Sequence, residues 1–504
     1  MNKYIPTIGL EIHAELKTQT KMFCNSKNDA DETRPNHNIC PICLAHPGTL
    51  PVINSEAVRH VLRVGKVLNG TKADYTEFDR KNYFYPDLPK GYQISQFAYP
   101  LISGGALNGV QITRIHLEED TASSIHGSTS LTTGDGATNT TVIDYNRAGV
   151  PLMELVTEPV IRSAAQAGNF ARELQLLLRS LNASEANMEK GEMRVEANIS
   201  VSRTVLENGI PKDGPLGTKV EVKNLNSFRI MERAVAYEIK RQQDLLERGE
   251  KVVQETRGWD EKTGKTFPQR VKEGSADYRY FPDPDLPPLK LSLVPDFADG
   301  EIKKTMPELP DERRKRYISM GIKGEDAELY IRDMRLGEFF ELVTGSYLPK
   351  SRELILASNY IANDLVNITR LRKGFGGQVR DMEERDSEHR AEIPISPANF
   401  KKIIEMISSN KISSRSAKDL LQTSIVDKRD PEVIAQEMGI FQISDSANLE
   451  AVVTDIVEKN PKVVLDYKAG KETALEYLVG QCMKSLRGAA DPVVLRDLIR
   501  KRIG

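Results

Sequence analysis

Hydrophobic and polar residues alternate along several short segments in the first half of the chain. In residues 8–16 every second position is apolar, and the positions between include Glu11, His13 and Glu15. The same alternation begins at residue 110 and recurs in residues 193–201 and 219–223. Because successive side chains point to opposite faces of a strand, each segment is predicted to be a strand with one apolar and one charged face. Together the segments indicate an antiparallel sheet with one charged face. We interpret this face as a substrate cradle rather than as an ordinary solvated surface.

Helical spacing of apolar residues is found at residues 56–68 and 163–181, and it replaces alternation beyond a proline- and acid-rich segment at residues 283–296. We therefore predict an α+β fold. An N-terminal cradle domain with a mixed or antiparallel sheet is predicted over residues 1–295. An all-helical domain is expected over residues 296–395, and a small all-helical tail domain over residues 396–504.

The composition of the 504 residues is that of a globular protein, with 39% hydrophobic and 28% charged residues. The formal net charge is −2, so any nucleic acid must be bound by local patches rather than by a basic coat. No apolar run is long enough to span a bilayer, and no signal-peptide segment is visible. We therefore expect a cytoplasmic location and no membrane partner.

Acidic residues that could bind a metal ion occur at three places in the sequence. Glu11 and His13 share the polar face of the first predicted strand, and Glu118, Glu119 and Asp120 end another strand. Glu154 lies within an apolar run, so it is predicted to bind a metal or to pair with a buried arginine. Carboxylates and an imidazole that converge would suit Mg²⁺. Periodicity leaves open which acid of the triplet points inward, and each group is also compatible with a solvated surface.

Three cysteines fall in the first 43 residues. Cys40 and Cys43 form a C-x-x-C pair, and Cys24 lies upstream with Ser26 where a second thiol would complete a zinc ribbon. Structural zinc and a redox pair are both compatible with this spacing. No phosphate-binding P-loop and no G-x-G-x-x-G after a strand are found, so ATP would have to bind through another fold.

Residues 79–92 are rich in aromatic and basic residues and contain two prolines. A segment of this kind is neither a regular strand nor a helix interior. It suits either the lining of a polar cleft or a surface loop whose rings are tucked beneath it.

Five motifs of the chain are similar to those of one family. They are I-G-L-E-I-H-A-E-L, D-R-K-N-Y-F-Y-P-D-L-P-K-G-Y-Q-I-S-Q, I-H-L-E-E-D, D-Y-N-R-A-G-V-P-L-M-E and D-Y-R-Y-F-P-D-P-D-L-P-P-L. The chain thus resembles the B subunit of the bacterial tRNA-dependent amidotransferase, the GatB family. The resemblance implies a heterotrimer with A and C subunits. It also implies an ATP- and Mg²⁺-dependent ligase that converts Glu-tRNA(Gln) to Gln-tRNA(Gln), or Asp-tRNA(Asn) to Asn-tRNA(Asn), with ammonia released from glutamine by the A subunit.

The resemblance also implies roles for individual residues. The Mg²⁺ ligands would be Glu11, His13, Glu119 and Glu154, of which the first three are also assigned to catalysis. It thus favours Glu119 over Glu118, and it leaves Glu118 and Asp120 beside the ligands. Lys81 and Lys90 match positions along the ammonia route. Family members often bind zinc through two cysteine pairs, so Cys24, Cys40 and Cys43 are candidate zinc ligands in a chain that lacks the fourth thiol.

The C-terminal helices carry a local excess of basic residues. Charge alone favours an ordinary solvated helical face, whereas the resemblance implies a tail domain that contacts tRNA through Lys484, Arg487 and Arg500. Two other functions are compatible with the residues. One is a stand-alone ATP-dependent carboxylate–amine ligase acting on a small molecule, and the other is a non-catalytic RNA-binding scaffold.

Overall fold

The structure is a computed structural model, and it describes residues 4–126, 141–203, 205–207, 210–212, 215–271, 278–371, 393–441, 446–486, 490 and 492–504. The chain divides into two compact units, Met1–Pro310 and Asp311–Gly504. The first unit contains the strands and the second is helical, which confirms the predicted α+β class. The predicted domain boundaries at residues 295 and 395 stay predictions.

The first unit contains nineteen described strands. They are β1 (Tyr4–Glu15), β2 (Thr71–Lys72), β3 (Tyr75–Thr76), β4 (Asp79–Asn82), β5 (Tyr92–Ser95), β6 (Ile102–Ser103), β7 (Ala106–Leu107), β8 (Val110–Glu119), β9 (Ser123–His126), β10 (Thr141–Asp144), β11 (Pro151–Thr157), β12 (Met193–Arg203), β13 (Val205–Glu207), β14 (Ile210–Lys212), β15 (Val220–Leu225), β16 (Glu255–Asp260), β17 (Lys265–Val271), β18 (Phe281–Pro282) and β19 (Leu289–Lys290).

Ten of these strands form one sheet in the order β17-β16-β15-β12-β1-β11-β8-β6-β2, with β7 paired to β8. All of its pairings are antiparallel except β15 with β16, so the predicted mixed or antiparallel sheet is confirmed. The longest strand, β1, lies at the centre between β11 and β12. A smaller sheet in the order β18-β4-β5 contains the two ends of the aromatic segment, Asp79–Asn82 in β4 and Tyr92 in β5, whereas residues 83–91 lie between these strands.

The helices of the first unit are α1 (Ser55–Val67), α2 (Ala164–Ser180), α3 (Phe228–Glu247) and α4 (Asp299–Lys304), with 3₁₀ turns at Leu291–Leu293 and Pro295–Phe297. Asn54, Ser163 and Ser227 cap the first three by accepting hydrogen bonds from backbone N–H groups of the first turn. The apolar sides of α1, α2 and α3 share one core with the apolar face of the sheet. Ile8, Leu10, Ile12 and Ala14 of β1 are buried there, as the alternation predicted.

The second unit contains twelve described α-helices: α5 (Pro310–Ser319, which begins at the boundary), α6 (Gly324–Arg332), α7 (Met334–Thr344), α8 (Arg352–Asn359), α9 (Val366–Leu371), α10 (Pro397–Ser408), α11 (Ser414–Asp427), α12 (Pro431–Glu437), α13 (Ser446–Lys459), α14 (Pro461–Lys468), α15 (Glu472–Ser485) and α16 (Pro492–Ile503). A π-helical turn at Tyr360–Leu365 joins α8 to α9. A separate core is shared by α13, α15 and α16. The predicted link at residues 372–392 lies outside the described residues. No described helix has the length and apolar character needed to cross a membrane.

Candidate active site

The centre of the large sheet presents a row of ionisable side chains on the face opposite the helices. In the register of the strands, His13 of β1 lies opposite Glu154 of β11 on one side and Arg194 of β12 on the other. Glu154 in turn lies opposite His116 of β8. Directly opposite residues point to the same face of a sheet, so four neighbouring strands bring these side chains together.

The ion pairs within this row are short. His13 Nε2 lies 3.2 Å from Glu154 Oε2 and 3.9 Å from Glu11 Oε1. His116 Nε2 lies 3.5 Å from Glu154 Oε2 and 3.4 Å from Glu118 Oε1. We call Glu11, His13, His116, Glu118 and Glu154 the acidic cluster. The structure thus brings together three of the four residues that were predicted to bind Mg²⁺.

The fourth predicted ligand, Glu119, does not lie in the cluster, and Glu118 takes its place. Strands β8 and β11 shift register between Arg114 and Ile112, which leaves Thr113 as an extra residue in β8. A bulge of this kind reverses the faces of all residues that follow it. Ile115 and Leu117 therefore enter the core, whereas His116 and Glu118 join the polar face. The geometry thus favours Glu118 over the predicted Glu119.

Glu118 is held tightly from the small sheet. Only 2% of the residue is exposed. Ser95 Oγ donates to its Oε1 at 2.5 Å, and Gln93 Nε2 donates to its Oε2 at 3.0 Å. Lys81 Nζ lies 3.8 Å from the same carboxylate. The predicted ammonia-route residue Lys81 therefore contacts the acidic cluster directly.

Glu119 is also buried, but it has different partners. Its carboxylate forms an ion pair with Lys90 and accepts a hydrogen bond from the backbone N–H of Ile94 at 3.0 Å. Lys90 and Lys81 thus pair with adjacent acids of the chain. The structure brings both predicted ammonia-route lysines to the end of β8.

Asp120, which was predicted to lie beside the metal ligands, is enclosed by arginines. Arg194 donates a hydrogen bond to its carboxylate, and Arg147 Nε lies 3.6 Å from Oδ2. These charges hold the pKa of Asp120 below its usual value despite burial, which by itself raises the pKa. Burial and the nearby Asp120 carboxyl raise the pKa of Glu15 to about 8. Asp120 therefore lies next to the acidic cluster and pairs with Arg194 and Arg147.

The charges of the cluster depend on one another. Burial lowers the pKa of His13, but the hydrogen bond and charge of Glu154, with Glu118 and Glu11, outweigh it and raise the pKa to about 9. Burial raises the pKa of Glu154, but His116 and His13 outweigh it and lower the pKa to about 2. For Glu11, burial and the charge of Glu154 raise the pKa. Without a bound ion, protonated His13 balances part of the negative charge.

The donor atoms of the cluster form two groups, each of which is compact enough to hold one cation. Glu11, His13 and Glu154 each offer a ligand atom within 4.8 Å of the others, and so do His116, Glu118 and Glu154. Glu154 belongs to both groups. A set of carboxylate oxygens with imidazole nitrogens fits a divalent cation. A cation at this position would replace the proton that His13 carries.

Two cationic side chains near the cluster, Arg114 and Lys223, were not predicted to act there. Arg114 Nη2 lies 3.4 Å from Glu154 Oε1, and the buried Nε of Arg114 has no hydrogen-bond partner among the residues that the structure describes. On the other side, Lys223 of β15 lies 2.8 Å from Glu196, which is opposite Glu11 in the register. The alternation in β12 and β15 indicated a charged face, but strand order was needed to locate these residues. The position of His116 in the cluster could not be predicted either, because the bulge at Thr113 changes the face of the sheet on which His116 lies.

The three N-terminal cysteines converge, as a zinc site would require. Cys24, Cys40 and Cys43 offer sulfur atoms within 4.8 Å of one another. Ser26 Oγ lies 3.8 Å from Cys43 Sγ, so a hydroxyl is adjacent to the three thiols. The ammonium of Lys21 is buried beside these thiols, and burial lowers its pKa. The donor set fits zinc with three sulfur ligands, while zinc binding itself stays a prediction.

The predicted tRNA-binding residues belong to the last helices of the second unit. Lys484 is exposed near the end of α15, and Arg500 is exposed on α16, where its Nη2 lies 3.8 Å from Glu472 Oε2. Arg487 lies outside the described residues. Near Arg500, the side chains of Lys501 and Arg502 are also exposed. The basic surface is present, and its role in tRNA binding stays a prediction.

Comparison with known proteins gives matches over both units. A family model described as the GatB/GatE catalytic domain matches residues 6–294, and one described as the GatB domain matches residues 376–503. Curated relatives, each named as the B subunit of an aspartyl/glutamyl-tRNA(Asn/Gln) amidotransferase, match along nearly their whole length. The protein of Carboxydothermus hydrogenoformans is 40% identical over 100% of this chain and 99% of its own length. That of Thermomicrobium roseum is 42% identical over 98% of each chain, and that of Thermotoga maritima is 40% identical over 99% of each.

The acidic cluster and both of its neighbouring lysines lie within the region that matches the catalytic domain. The matches extend through the helical unit to residue 503. The resemblance inferred from the motifs is therefore confirmed, and the chain belongs to the GatB family of amidotransferase B subunits.

Proposed function

We propose that this chain is the B subunit of a heterotrimeric tRNA-dependent amidotransferase and that its acidic cluster is the centre of ATP-dependent amidation. The substrates are the misacylated Glu-tRNA(Gln), Asp-tRNA(Asn) or both. The single observation that carries this proposal is the acidic cluster itself. Two nearly inaccessible carboxylates, Glu118 and Glu154, both contact the imidazole of His116 on the polar face of the large sheet. His13 also contacts Glu154, and Lys81 contacts Glu118.

The reaction consists of two steps. A side-chain carboxylate oxygen of the aminoacyl group attacks the γ-phosphorus of ATP, forming an acyl phosphate and releasing ADP. The nitrogen of ammonia then attacks the acyl carbon, the C–O bond to phosphate breaks, and the proton lost by nitrogen is taken up by a base. Activation is required because an oxide cannot leave from a carboxylate. Phosphoryl transfer depends on positioning and on neutralising charge rather than on covalent catalysis by the protein.

Mg²⁺ would be held by Glu11, His13, Glu118 and Glu154. When bound, it neutralises phosphate charge and polarises the substrate carboxylate. The protein contributes cations of its own. Arg114 and Lys81 lie at opposite sides of the cluster and reduce the repulsion between its acids and an anionic substrate.

Glu119 is proposed as the base that accepts the proton from the attacking ammonia. In this proposal Glu118, rather than Glu119, completes the metal site. The Glu119 carboxylate pairs with Lys90 beside the cluster. Lys81 and Lys90 are proposed to line the last part of the route along which ammonia arrives from the A subunit.

The remaining parts of the proposal concern partners and location. The A subunit supplies ammonia from glutamine, the C subunit completes the heterotrimer, and the basic ends of α15 and α16 contact the tRNA backbone. Backbone contacts made by lysine and arginine would give affinity that falls steeply with salt. The enzyme is proposed to act in the cytoplasm.

The experiment that tests this function compares glutamine hydrolysis with tRNA amidation in the assembled heterotrimer. Glu119→Gln should leave hydrolysis by the A subunit within about twofold of wild type and abolish formation of Gln-tRNA. Glu301→Gln is the matched control, because Glu301 is an exposed acid that contacts Lys304 on α4. Full amidation by the Glu119→Gln enzyme would contradict the role of Glu119. Use of free glutamate in place of tRNA by the wild type would instead favour a small-molecule ligase.

A further inference from the structure

Three thiols and a buried ammonium group lie together near the N-terminus, apart from the acidic cluster. Cys24, Cys40 and Cys43 offer sulfur atoms within 4.8 Å of one another. The ammonium of Lys21, a residue that is only 1% exposed, lies beside them. We call these four residues the thiol cluster. Reactive cysteines are found in electropositive, partly exposed surroundings, and the proposed amidation makes no use of these thiols.

Two of the three sulfur atoms are placed to bond to each other. Cys40 and Cys43 are the two cysteines of the C-x-x-C turn, and their Sγ atoms lie 3.8 Å apart. The backbone N–H of Cys40 donates a hydrogen bond to Cys43 Sγ at 3.0 Å, which holds this sulfur over the turn. An S–S bond is about 2.05 Å long, so the sulfurs need to approach by less than about 2 Å, which side-chain rotation can supply.

The two sulfur atoms differ in their access to solvent. Cys40 is partly exposed, whereas Cys43 and Cys24 are buried. An oxidant that arrives from solvent therefore reaches Cys40 first and meets Cys43 as the next sulfur. Redox-sensing cysteines have this arrangement, in which an accessible thiol is oxidised and a neighbouring thiol resolves it to a disulfide.

Backbone hydrogen bonds connect the thiol cluster to the end of β8, where Glu118 lies. The backbone N–H of Met22 donates to the carbonyl oxygen of Gly149 at 2.7 Å, and that of Gly149 donates to the carbonyl oxygen of Asp120 at 2.9 Å. Gly149 has a φ of 84°, and a Cβ at this position would lie 3.7 Å from Cys43 Cβ. A movement of the Cys43 side chain would therefore press on a segment that is bonded to the residue two positions after Glu118.

We propose that Cys40 and Cys43 form a reversible disulfide under oxidising conditions and that this disulfide lowers the rate of amidation. With hydrogen peroxide, the Cys40 sulfur forms a bond to one oxygen, the O–O bond breaks, and the hydroxide leaves as water with the thiol proton. The Cys43 sulfur then attacks the Cys40 sulfur, the S–O bond breaks, and a second water leaves with the Cys43 proton. Two thiols are thus oxidised to one disulfide, and peroxide is reduced to two molecules of water.

The modification is independent of the proposed function, whereas its effect on amidation rests on that function. Disulfides of cytoplasmic proteins are usually transient and serve catalysis or redox sensing. The zinc that the family resemblance implies would use the same sulfur atoms, so the disulfide is a reaction of the metal-free site. Two equivalents of a small thiol would reverse it by disulfide exchange.

The first part of the test follows the thiols of the assembled heterotrimer by peptide mass spectrometry. The complex is treated with a chelator, freed of it, exposed to hydrogen peroxide and then alkylated. In the wild type, Cys40 and Cys43 should be joined and unalkylated, Cys24 should be alkylated, and dithiothreitol should restore both thiols. Cys43→Ser should instead leave Cys40 as a sulfenic acid that dimedone labels. Cys482→Ala is the matched control and should form the disulfide as the wild type does, because Cys482 is buried in the core of the second unit.

The second part measures amidation with ammonium after Mg²⁺ has been restored. Peroxide should lower the wild-type rate about fivefold, within the range expected for coupling through packed and hydrogen-bonded groups, and dithiothreitol should restore it. Cys40→Ser should keep its rate in peroxide, and it controls for oxidation of the partner subunits because they are the same in both enzymes.

Each outcome addresses one part of the proposal. Full alkylation of Cys40 and Cys43 after peroxide, or a disulfide that includes Cys24, would overturn the modification. An unchanged rate in the disulfide form, or an equal loss of rate in Cys40→Ser, would overturn its effect on amidation. A reduced wild type that forms no Gln-tRNA would overturn the proposed function, and the mass spectra would still decide whether the disulfide forms.

Discussion

The clearest difference between the two acids at the end of β8 concerns metal binding. Glu118 lies on the same face as Glu154 and His116, whereas Glu119 pairs with Lys90. Substituting each by glutamine preserves size and removes one negative charge. We predict that Glu118→Gln weakens binding of a divalent cation far more than Glu119→Gln does.

The magnitude follows from the geometry of the cluster. At an effective dielectric constant near 20, a unit charge about 4 Å from another contributes roughly 4 kcal/mol, and a divalent ion doubles that value. Desolvation offsets much of this attraction. A net loss of about 3 kcal/mol is therefore expected for Glu118→Gln, which weakens binding at least a hundredfold. For Glu119→Gln the change should be less than about fivefold, because the Glu119 carboxylate belongs to neither group of ligand atoms in the cluster.

The assay is titration of the metal-free heterotrimer with Mn²⁺, followed by electron paramagnetic resonance of the free ion, and then competition with Mg²⁺. Circular dichroism and thermal unfolding establish that both variants are folded. If Glu119→Gln loses the ion while Glu118→Gln retains it, the bulge at Thr113 does not set the metal ligands. The choice of Glu119 made from family resemblance would then be correct.

Three further predictions address other parts of the molecule. Metal binding at pH 7 should release a proton, since His13 has a pKa of about 9 without the ion, and metal affinity should therefore increase as pH rises toward 9. Calorimetry in two buffers of different ionisation enthalpy measures this release, and equal heats in the two buffers would mean that His13 is not a ligand. Ser26→Cys should increase the zinc affinity measured by chelator competition, because it supplies a fourth thiolate next to Cys43. An unchanged affinity would mean that residue 26 does not lie in the coordination shell of the ion. Ile12→Ala should lower the free energy of unfolding by about 3 kcal/mol in urea denaturation, whereas a change below about 1 kcal/mol would mean that the centre of β1 is not packed as described.

Local pattern was sufficient to predict much of the first unit. Alternation in residues 8–16 and 193–201 correctly indicated strands with one buried and one charged face, and these became β1 and β12. The change to helical spacing indicated the second unit. Short-range periodicity carries this information because it depends only on which face of each element is buried.

The assembly of the site depended on contacts that periodicity cannot supply. The pairing of His13 with Glu154 joins residues far apart in the chain, and only the strand order places them side by side. One extra residue at Thr113 moved Glu118 to the polar face, which alternation counted from residue 110 could not reveal. The stack of Phe97 on Tyr280 likewise joins two distant segments through the small sheet.

The most direct test of amidation at the acidic cluster supplies the assembled heterotrimer with Glu-tRNA(Gln), ATP, Mg²⁺ and ammonium, and measures Gln-tRNA. Ammonium bypasses the glutaminase, so the product reports on this chain. We predict that Gln-tRNA forms in the wild type and disappears when EDTA is added or when Glu118 is replaced by glutamine. Tight tRNA binding without product from any nitrogen donor, or full activity of the Glu118→Gln enzyme, would contradict it.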